Sequence, residues 1–112
     1  MSQVSEPELF KALLCSAIDY AIISLDSRGS VVFWSTGAEA LLGWTFEEMI
    51  GQCGSVIFTP EDRERNLPEL EIEAARKDGR AEDERWHVRK DGSRFWASGV
   101  LMPLKDGALL VS

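Results

Sequence analysis

The chain has 112 residues, of which 45% are hydrophobic, so it is long enough for one domain with a buried core. Its net charge of −7 disfavours a nucleic-acid surface, because phosphates must be met by clustered lysine and arginine side chains. The cysteines Cys15 and Cys53 form no CxxC pair, and no apolar segment approaches the roughly 20 residues that span a bilayer. These properties predict a cytoplasmic domain that contacts neither nucleic acid nor a membrane.

The N-terminal segment carries a helix signal. Residues 5–8 (SEPE) have the spacing of a capping box, with proline in the first turn. Apolar residues then recur at helical spacing, which predicts an amphipathic helix over about residues 6–17. We assign residues 1–18 to this helix, and we expect its apolar stripe to cover either the sheet of the domain or a second copy of the chain.

Two β-favouring runs follow, residues 21–25 and 31–34, separated by a turn in which Gly29 tolerates positive φ. Three short helices are predicted next, because a residue with a side-chain hydroxyl stands at each start. The hydroxyl can satisfy amide groups that the first turn of the helix leaves without a partner. These residues are Ser35 or Thr36, then Thr45, then Thr59.

A longer helix is predicted over about residues 66–78, with Asn66 as its cap and Gly79 at its end. Leu67, Leu70 and Ala74 are its expected buried side. Strands are predicted over residues 82–89, 94–104 and 108–111, with hairpin turns at Asp91-Gly92 and Asp106-Gly107. The order of elements predicts an α+β domain, in which helices cover one face of an antiparallel sheet.

Four segments of this chain, in the same order, resemble a PAS domain. They are residues 26–44 (DSRGSVVFWSTGAEALLGW), 48–51 (EMIG), 59–62 (TPED) and 89–97 (RKDGSRFWA). The resemblance covers residues 19–112, with a final strand that we expect to be truncated. It is strongest to PAS domains attached to bacterial sensor histidine kinases and related signalling proteins. Ser35 stands where the family usually has asparagine, and its hydroxyl can still cap the helix.

The resemblance implies a five-stranded antiparallel sheet, in the order 2-1-5-4-3, with helices that enclose a small cavity. It also implies a sensory module of a bacterial signal-transduction protein, most readily a sensor histidine kinase. Such a module binds a small ligand, forms a homodimer, or does both, and so controls an effector domain in the same polypeptide. The alternative is a ligand-free module for protein–protein interaction and dimerisation. An enzyme is the weakest reading, because the chain shows no nucleophile–base set, phosphate loop or metal set.

Candidate site residues follow from this fold. The pocket candidates are inward-facing apolar and aromatic residues, together with the single histidine: Ile23, Leu25, Phe33, Leu41, Leu42, Trp44, Met49, Ile57, His87, Phe95 and Ala97. The dimer-interface candidates lie on the predicted N-terminal helix and on the outer face of the sheet: Leu9, Phe10, Leu13, Leu14, Trp86, Val88, Trp96 and Val100.

The cofactor is not defined by the sequence. PAS domains of the LOV class form a flavin adduct through the cysteine of a Gly-x-Asn-Cys-Arg-Phe-Leu motif. Here Cys53 falls one position early, Gly54 takes the reactive place, and the Arg-Phe-Leu is absent, so LOV photochemistry is disfavoured. Haem is disfavoured as well, since PAS haem sensors typically supply a histidine from the long helix, which has none here. One histidine without companions at ligand spacing also argues against a metal site.

The orientation of His87 has two interpretations. An alignment through Lys90-Asp91-Gly92 places His87 and Ala97 where LOV domains contact the flavin ring, so that His87 faces the cavity and Trp86 the opposite side. Alternation along the strand instead puts Trp86 in the core and His87 in water. Both interpretations survive if both faces of the sheet are covered, and we favour His87 inside. The acidic residues 82–84 are interpreted as a solvated start of the strand.

Overall fold

The computed structural model describes residues 20–112, so the helix predicted over residues 6–17 lies outside the described residues. One antiparallel sheet has the order β2-β1-β5-β4-β3, which confirms the predicted fold class and strand order. Three hairpins and the central pairing of β1 with β5 build the sheet. The strands are β1 (Ile22–Asp26), β2 (Val31–Trp34), β3 (Ala81–Val88), β4 (Arg94–Leu104) and β5 (Gly107–Val111).

Between β2 and β3 the chain forms helices that cover one face of the sheet. They are α1 (Thr36–Leu42), α2 (Phe46–Met49), a 3-10 helix (Gly54–Ile57), α3 (Pro60–Glu64) and α4 (Leu67–Asp78). The 3-10 helix was not predicted. Ser35 caps α1, and its hydroxyl also accepts a hydrogen bond from the amide of Ile22, so one side chain joins α1 to β1. The capping box predicted at Thr45 is present.

The core lies between the helices and the inner face of the sheet. Alternate residues of each strand point into it, as the period of two requires. Its buried apolar members include Ile23, Val31, Trp34, Ala38, Leu42, Met49, Ile57, Phe58, Ala75, Leu101, Ala108 and Leu110. The strand residues in between point away from the core and form the outer face of the sheet, which includes Trp86 and Trp96.

The structure corrects the predicted orientation of α4. Leu70, expected to be buried, is 50% exposed, whereas Glu71 is 6% exposed. The buried residues are Pro68, Glu71 and Ala75, which follow one helical face at the spacing i, i+3, i+7. Leu67 and Ala74, the other predicted members, are half-buried, and Leu67 packs against the core. The buried face is thus shifted by one residue from the predicted one, because Glu71 has an ionic partner on the sheet. Asn66 begins the helix in the left-handed conformation, and its side chain makes no capping bond.

Candidate functional site

A cavity of about 290 Å³ lies between α4 and the centre of the sheet. Its floor comes from the central strands β1, β4 and β5, one side from the 3-10 helix and its flanking residues, and its roof from α4. The lining is mainly apolar, and it includes Ile23, Leu25, Ile57, Ile72, Leu101 and Leu110. Its volume is close to the lower limit for small-molecule sites, and the predominance of apolar groups is also typical of such sites.

Polar residues line parts of the same cavity. Arg28, Glu73 and Arg76 are on its wall, together with Cys53, an exposed free cysteine. Gly54 lies beside Cys53 and packs against Leu25, because a Cβ atom added to this glycine would lie 2.8 Å from Leu25 Cδ2. Gly54, which the sequence analysis aligned with the reactive cysteine of LOV domains, is therefore in close contact with the cavity wall.

His87 is buried on the inner face of β3, where its residue exposure is 1%. Its Nδ1 lies 3.0 Å from the carbonyl oxygen of Ile57, and its Nε2 lies 2.5 Å from Asp83 Oδ1. A carbonyl oxygen can only accept, so Nδ1 donates to Ile57, and Nε2 makes the contact with the Asp83 carboxyl group. His87 therefore joins β3 to the 3-10 helix at the edge of the cavity.

The interpretation that places His87 inside and the tryptophans outside is the one that the structure shows. Trp86 is 51% exposed and Trp96 is 56% exposed, so the interpretation based on strand alternation was wrong. It failed because the inner side of β3 carries Asp83, Arg85 and His87, polar residues that pair with one another and with α4. Asp83 is fully buried, which corrects the predicted solvated start of this strand at that residue, whereas Glu82 and Glu84 are exposed.

Glu71 on α4 completes this buried polar group, which we call the Glu71–His87 cluster: Glu71, Asp83, Arg85 and His87. Arg85 Nε lies 3.0 Å from Glu71 Oε2 and 3.9 Å from Asp83 Oδ2. Glu71 Oε2, Asp83 Oδ2 and Arg85 Nε are buried and have no hydrogen bond of good geometry within the described residues, so they interact mainly with one another electrostatically. Glu71 is also a residue of the cavity wall, and the cluster therefore adjoins the cavity.

The two carboxyl groups of the cluster have opposite pKa shifts. Burial, and then the interaction with the Asp83 carboxylate, raise the pKa of Glu71 to about 9, although the Arg85 guanidinium opposes the change. Burial acts in the same direction on Asp83. There, however, the hydrogen bond with His87 and the interaction with Glu71 together outweigh burial, and the pKa of Asp83 is lowered. At neutral pH the cluster therefore holds a protonated Glu71 beside an ionised Asp83.

Of the predicted pocket residues, three line the cavity: Ile23, Leu25 and Ile57. Four others are buried without lining it: Leu42, Met49, His87 and Ala97. The remaining four are half-buried and pack against the core or the surrounding elements: Phe33, Leu41, Trp44 and Phe95. The structure thus brings together only part of the predicted set, and whether any of these residues binds a ligand stays a prediction.

Most of the roof of the cavity was missed by the sequence analysis. Pro68, Glu71 and Ile72 on α4 line the cavity, as does Arg76 one turn further on. The spacing 68, 71, 72 and 75 could have revealed this face, because it matches one side of a helix. The signal was obscured by the glutamate at its centre, which sequence patterns place on the surface.

The outer face of the sheet carries an exposed aromatic pair. Trp86 and Trp96 are direct cross-strand partners on β3 and β4, and their rings meet edge to face with centroids 5.7 Å apart. Val88 and Val100 are half-buried on the same face. The other interface candidates, Leu9, Phe10, Leu13 and Leu14, lie outside the described residues. Exposed aromatic groups of this kind are typical of surfaces that bind another protein.

A five-stranded sheet of this order, with short helices that enclose a cavity on one face, is the architecture expected of a PAS domain. The family model described as PAS domain matches residues 19–111, and the chain therefore belongs to the PAS domain family. None of the helices within residues 20–112 has the length and apolarity needed to cross a membrane.

Among known proteins, the chain is 40% identical over 97 residues to Two-component system protein A of Emericella nidulans. That match covers 87% of this chain but only 14% of the relative. The PAS domain of a Colwellia psychrerythraea protein superposes with a TM-score of 0.83, at 27% identity and 92% coverage of each chain. A domain of a sensory box sensor histidine kinase/response regulator from Geobacter sulfurreducens gives a TM-score of 0.80, at 17% identity, over 95% of this chain and 90% of that one.

The first relative is a two-component system protein, and the two solved structures share the fold of this chain. The chain spans about 14% of the length of the curated relative. Emericella nidulans is a fungus, so the bacterial parent suggested by the sequence stays a prediction.

Proposed function

We propose that this PAS domain is a sensory module that binds a small molecule in the cavity under α4 and so controls a linked effector. The observation that carries the proposal is the mainly apolar cavity of about 290 Å³. An effector in the same polypeptide is supported by the relatives, of which one is a two-component system protein and another a sensor histidine kinase/response regulator. The module itself performs no catalysis in this proposal, and it acts in the cytoplasm.

The walls of the cavity suggest how binding produces a signal. Ile72 belongs to α4, whereas Leu101 and Leu110 belong to the sheet, so a ligand between them contacts two layers at once. Its affinity then depends on the spacing of these layers. A ligand shifts a conformational equilibrium only by its difference in affinity for the two states, and in this proposal its contacts with both layers are the source of that difference. The shift would reach an effector through β5 or through the N-terminal segment.

A binding experiment tests this proposal. Purified protein is exchanged into volatile buffer and examined by native mass spectrometry for a retained small molecule, before and after incubation with a library of compact apolar compounds. We expect bound species in wild type, and we expect them to disappear in Ile72→Phe, which narrows the cavity. Glu47→Gln, an exposed change on α2, serves as the control. A chain that retains nothing in any sample contradicts the proposal.

The exposed Trp86–Trp96 pair favours a second candidate function, a ligand-free dimerisation module that sets the geometry of an attached effector. Burial of large aromatic side chains supplies the driving force, at roughly 25 cal/mol per Å² of apolar surface. Two observations distinguish the candidate functions: whether the protein holds a bound molecule, and whether it forms a homodimer. A protein with a bound molecule supports the first function, whereas an empty homodimer supports the second.

A further inference from the structure

The contact between α4 and the sheet depends strongly on Glu71. Of the twelve residues of α4, three are buried: Pro68, Glu71 and Ala75. The helix covers a cavity of about 290 Å³, and this void takes the place of apolar contacts that would otherwise hold α4 on the sheet. Asn66 at the start of α4 makes no side-chain capping bond. Elements with few buried apolar contacts are the parts of a fold that open locally at low cost.

On the sheet, Glu71 meets a buried group that already holds a second acid. Arg85 Nε lies 3.0 Å from Glu71 Oε2 and 3.9 Å from Asp83 Oδ2, so one guanidinium group is a neighbour of both carboxyl groups. The Glu71 side chain is 4% exposed, and that of Asp83 is fully buried. An ionised Glu71 would therefore place a second negative charge beside Asp83 away from water, which is costly. A proton on Glu71 removes this cost while α4 lies on the sheet.

We propose that α4 is a pH-sensitive roof of the cavity: Glu71 holds a proton while α4 lies on the sheet and releases it when α4 moves away, so that a rise in pH opens the cavity. The inference rests on the proposed function for its consequence, which is the access of a ligand to the cavity. The movement of α4 itself requires no ligand, and it is therefore measured on the chain alone.

The direction of the effect follows from the surroundings of Glu71 in the two positions of α4. In the closed position burial, and then the interaction with Asp83, raise the pKa of Glu71 to about 9. In the open position the carboxyl group is in water, where its pKa is the ordinary value of 4.5. Between these pH values each opening event releases one proton, so the ratio of open to closed chains rises by up to about tenfold for each pH unit.

The other charged groups around Glu71 do not account for such a dependence. On β3, arginine keeps its proton at these pH values, and the lowered pKa of Asp83 keeps that carboxyl group ionised above pH 4.5. His87 contacts Asp83 and Ile57, which remain with the sheet and the 3-10 helix when α4 moves. The strands β1, β4 and β5 contribute apolar residues to the cavity wall, and the charged residues of α3 do not line it. The remaining titratable groups on the wall are exposed, so their surroundings change little: Arg28, Cys53, Glu69, Glu73 and Arg76.

Hydrogen exchange followed by NMR tests the inference on the isotopically labelled chain without a ligand. Protection factors are measured from pH 5.5 to 7.5 for the amides of Ile72 and Ala75 on α4 and of Leu110 in the sheet, under conditions in which the opening equilibrium limits exchange. We expect the α4 amides to be less protected than Leu110, and their protection to fall by up to about tenfold for each pH unit. In Glu71→Gln, which keeps the size of the side chain but has no acidic proton, the protection of α4 should not depend on pH. Glu73→Gln removes an exposed carboxylate from the same helix and should behave as wild type.

Several results would overturn the inference. Equal protection of α4 and Leu110 at every pH means that α4 leaves the sheet only when the whole chain unfolds. A dependence on pH that is missing in wild type, or that persists in Glu71→Gln, shows that Glu71 does not control the roof. The ¹³C shift of the Glu71 carboxyl group gives the same answer without any variant, because a carboxylate already ionised at pH 6.5 in the folded chain contradicts the protonated closed position. None of these results bears on whether the cavity binds a small molecule, which the mass spectra decide separately.

Discussion

Asp83 and His87 lie four residues apart on the inner face of β3, and their side chains meet with 2.5 Å between Oδ1 and Nε2. Residues four apart on a strand share a face, because side chains alternate between the two faces with a period of two. Both side chains lean towards each other along the inner face of the sheet. The contact fixes the imidazole against Ile57, and so it connects the outermost strand with the wall of the cavity.

The first prediction concerns this pair. In His87→Leu the Asp83 carboxylate stays buried without its main partner, and we expect the free energy of unfolding to fall by about 3 kcal/mol or more. The double variant Asp83→Leu/His87→Leu should be more stable than His87→Leu alone, since it leaves no buried charge unpaired. Urea unfolding followed by tryptophan fluorescence measures both values. If the double variant is the less stable of the two, the pair is not the source of the loss.

The second prediction concerns pH. Between pH 4.5 and about 9 Glu71 holds a proton in the folded chain but not in the unfolded chain. The unfolded state thus binds fewer protons, and the contribution of Glu71 to stability falls as pH rises through this window, by at most about 1.4 kcal/mol per pH unit. Below the unfolded pKa the contribution is fully present.

The measurement is urea unfolding at several pH values between 5.5 and 8.5. In Glu71→Gln the decline of the unfolding free energy with pH should become shallower than in wild type. Glu47→Gln removes an exposed carboxylate from α2 and should leave the wild-type slope unchanged. Parallel curves for wild type and Glu71→Gln would show that Glu71 is ionised in the folded chain.

The third prediction concerns assembly. If the chain forms a homodimer through the outer face of the sheet, Trp96→Ala weakens it, because each subunit loses an exposed aromatic side chain and its contact with Trp86. The cavity is on the opposite face, so ligand binding should change little. Size-exclusion chromatography with light scattering gives the mass. Leu70→Ala, an equally exposed apolar position on α4, is the control. A dimer that survives Trp96→Ala unchanged places the interface elsewhere.

The fourth prediction concerns the hairpin between β4 and β5. A Cβ atom at Gly107 would lie 1.9 Å from the carbonyl oxygen of Leu25, a main-chain atom of the neighbouring strand. Gly107→Ala therefore forces β1 and β5 apart where Asp26 pairs with Gly107, and we expect a loss of several kcal/mol in the free energy of unfolding or failure to fold. Asp106→Ala changes the exposed neighbouring residue and should stay close to wild type. Thermal unfolding followed by circular dichroism compares the two variants. Equal midpoint temperatures for Gly107→Ala and Asp106→Ala would contradict the clash.

Local signals identified most of the fold. Ser35, Thr45 and Thr59 mark helix starts because each hydroxyl accepts a hydrogen bond from the first turn of its own helix. The 3-10 helix had no such signal, since Cys53 at its cap makes no side-chain bond to the main chain. Gly107 was predicted as a turn residue, yet its role is to allow the close approach of Leu25, which is distant in sequence.

The candidate site was predicted less completely than the fold. Ile23, Leu25 and Ile57 were identified as cavity residues from their apolar character, and they do line it. Glu71 was missed, because an acidic residue is buried only when another element supplies its partner, and that partner is Arg85 on β3. Such pairings depend on distances across the fold, which one sequence does not contain.

By itself, the sequence determined the strands, the α-helices and their order, because capping, turn chemistry and apolar runs act between residues that are near neighbours in the chain. The PAS family was predicted from the resemblance of four segments. Only the tertiary structure decided which face of β3 is buried and where the cavity lies. The physical reason is that burial of Glu71, Asp83 and His87 is favourable only when ionic and hydrogen-bonding partners from separate elements meet them.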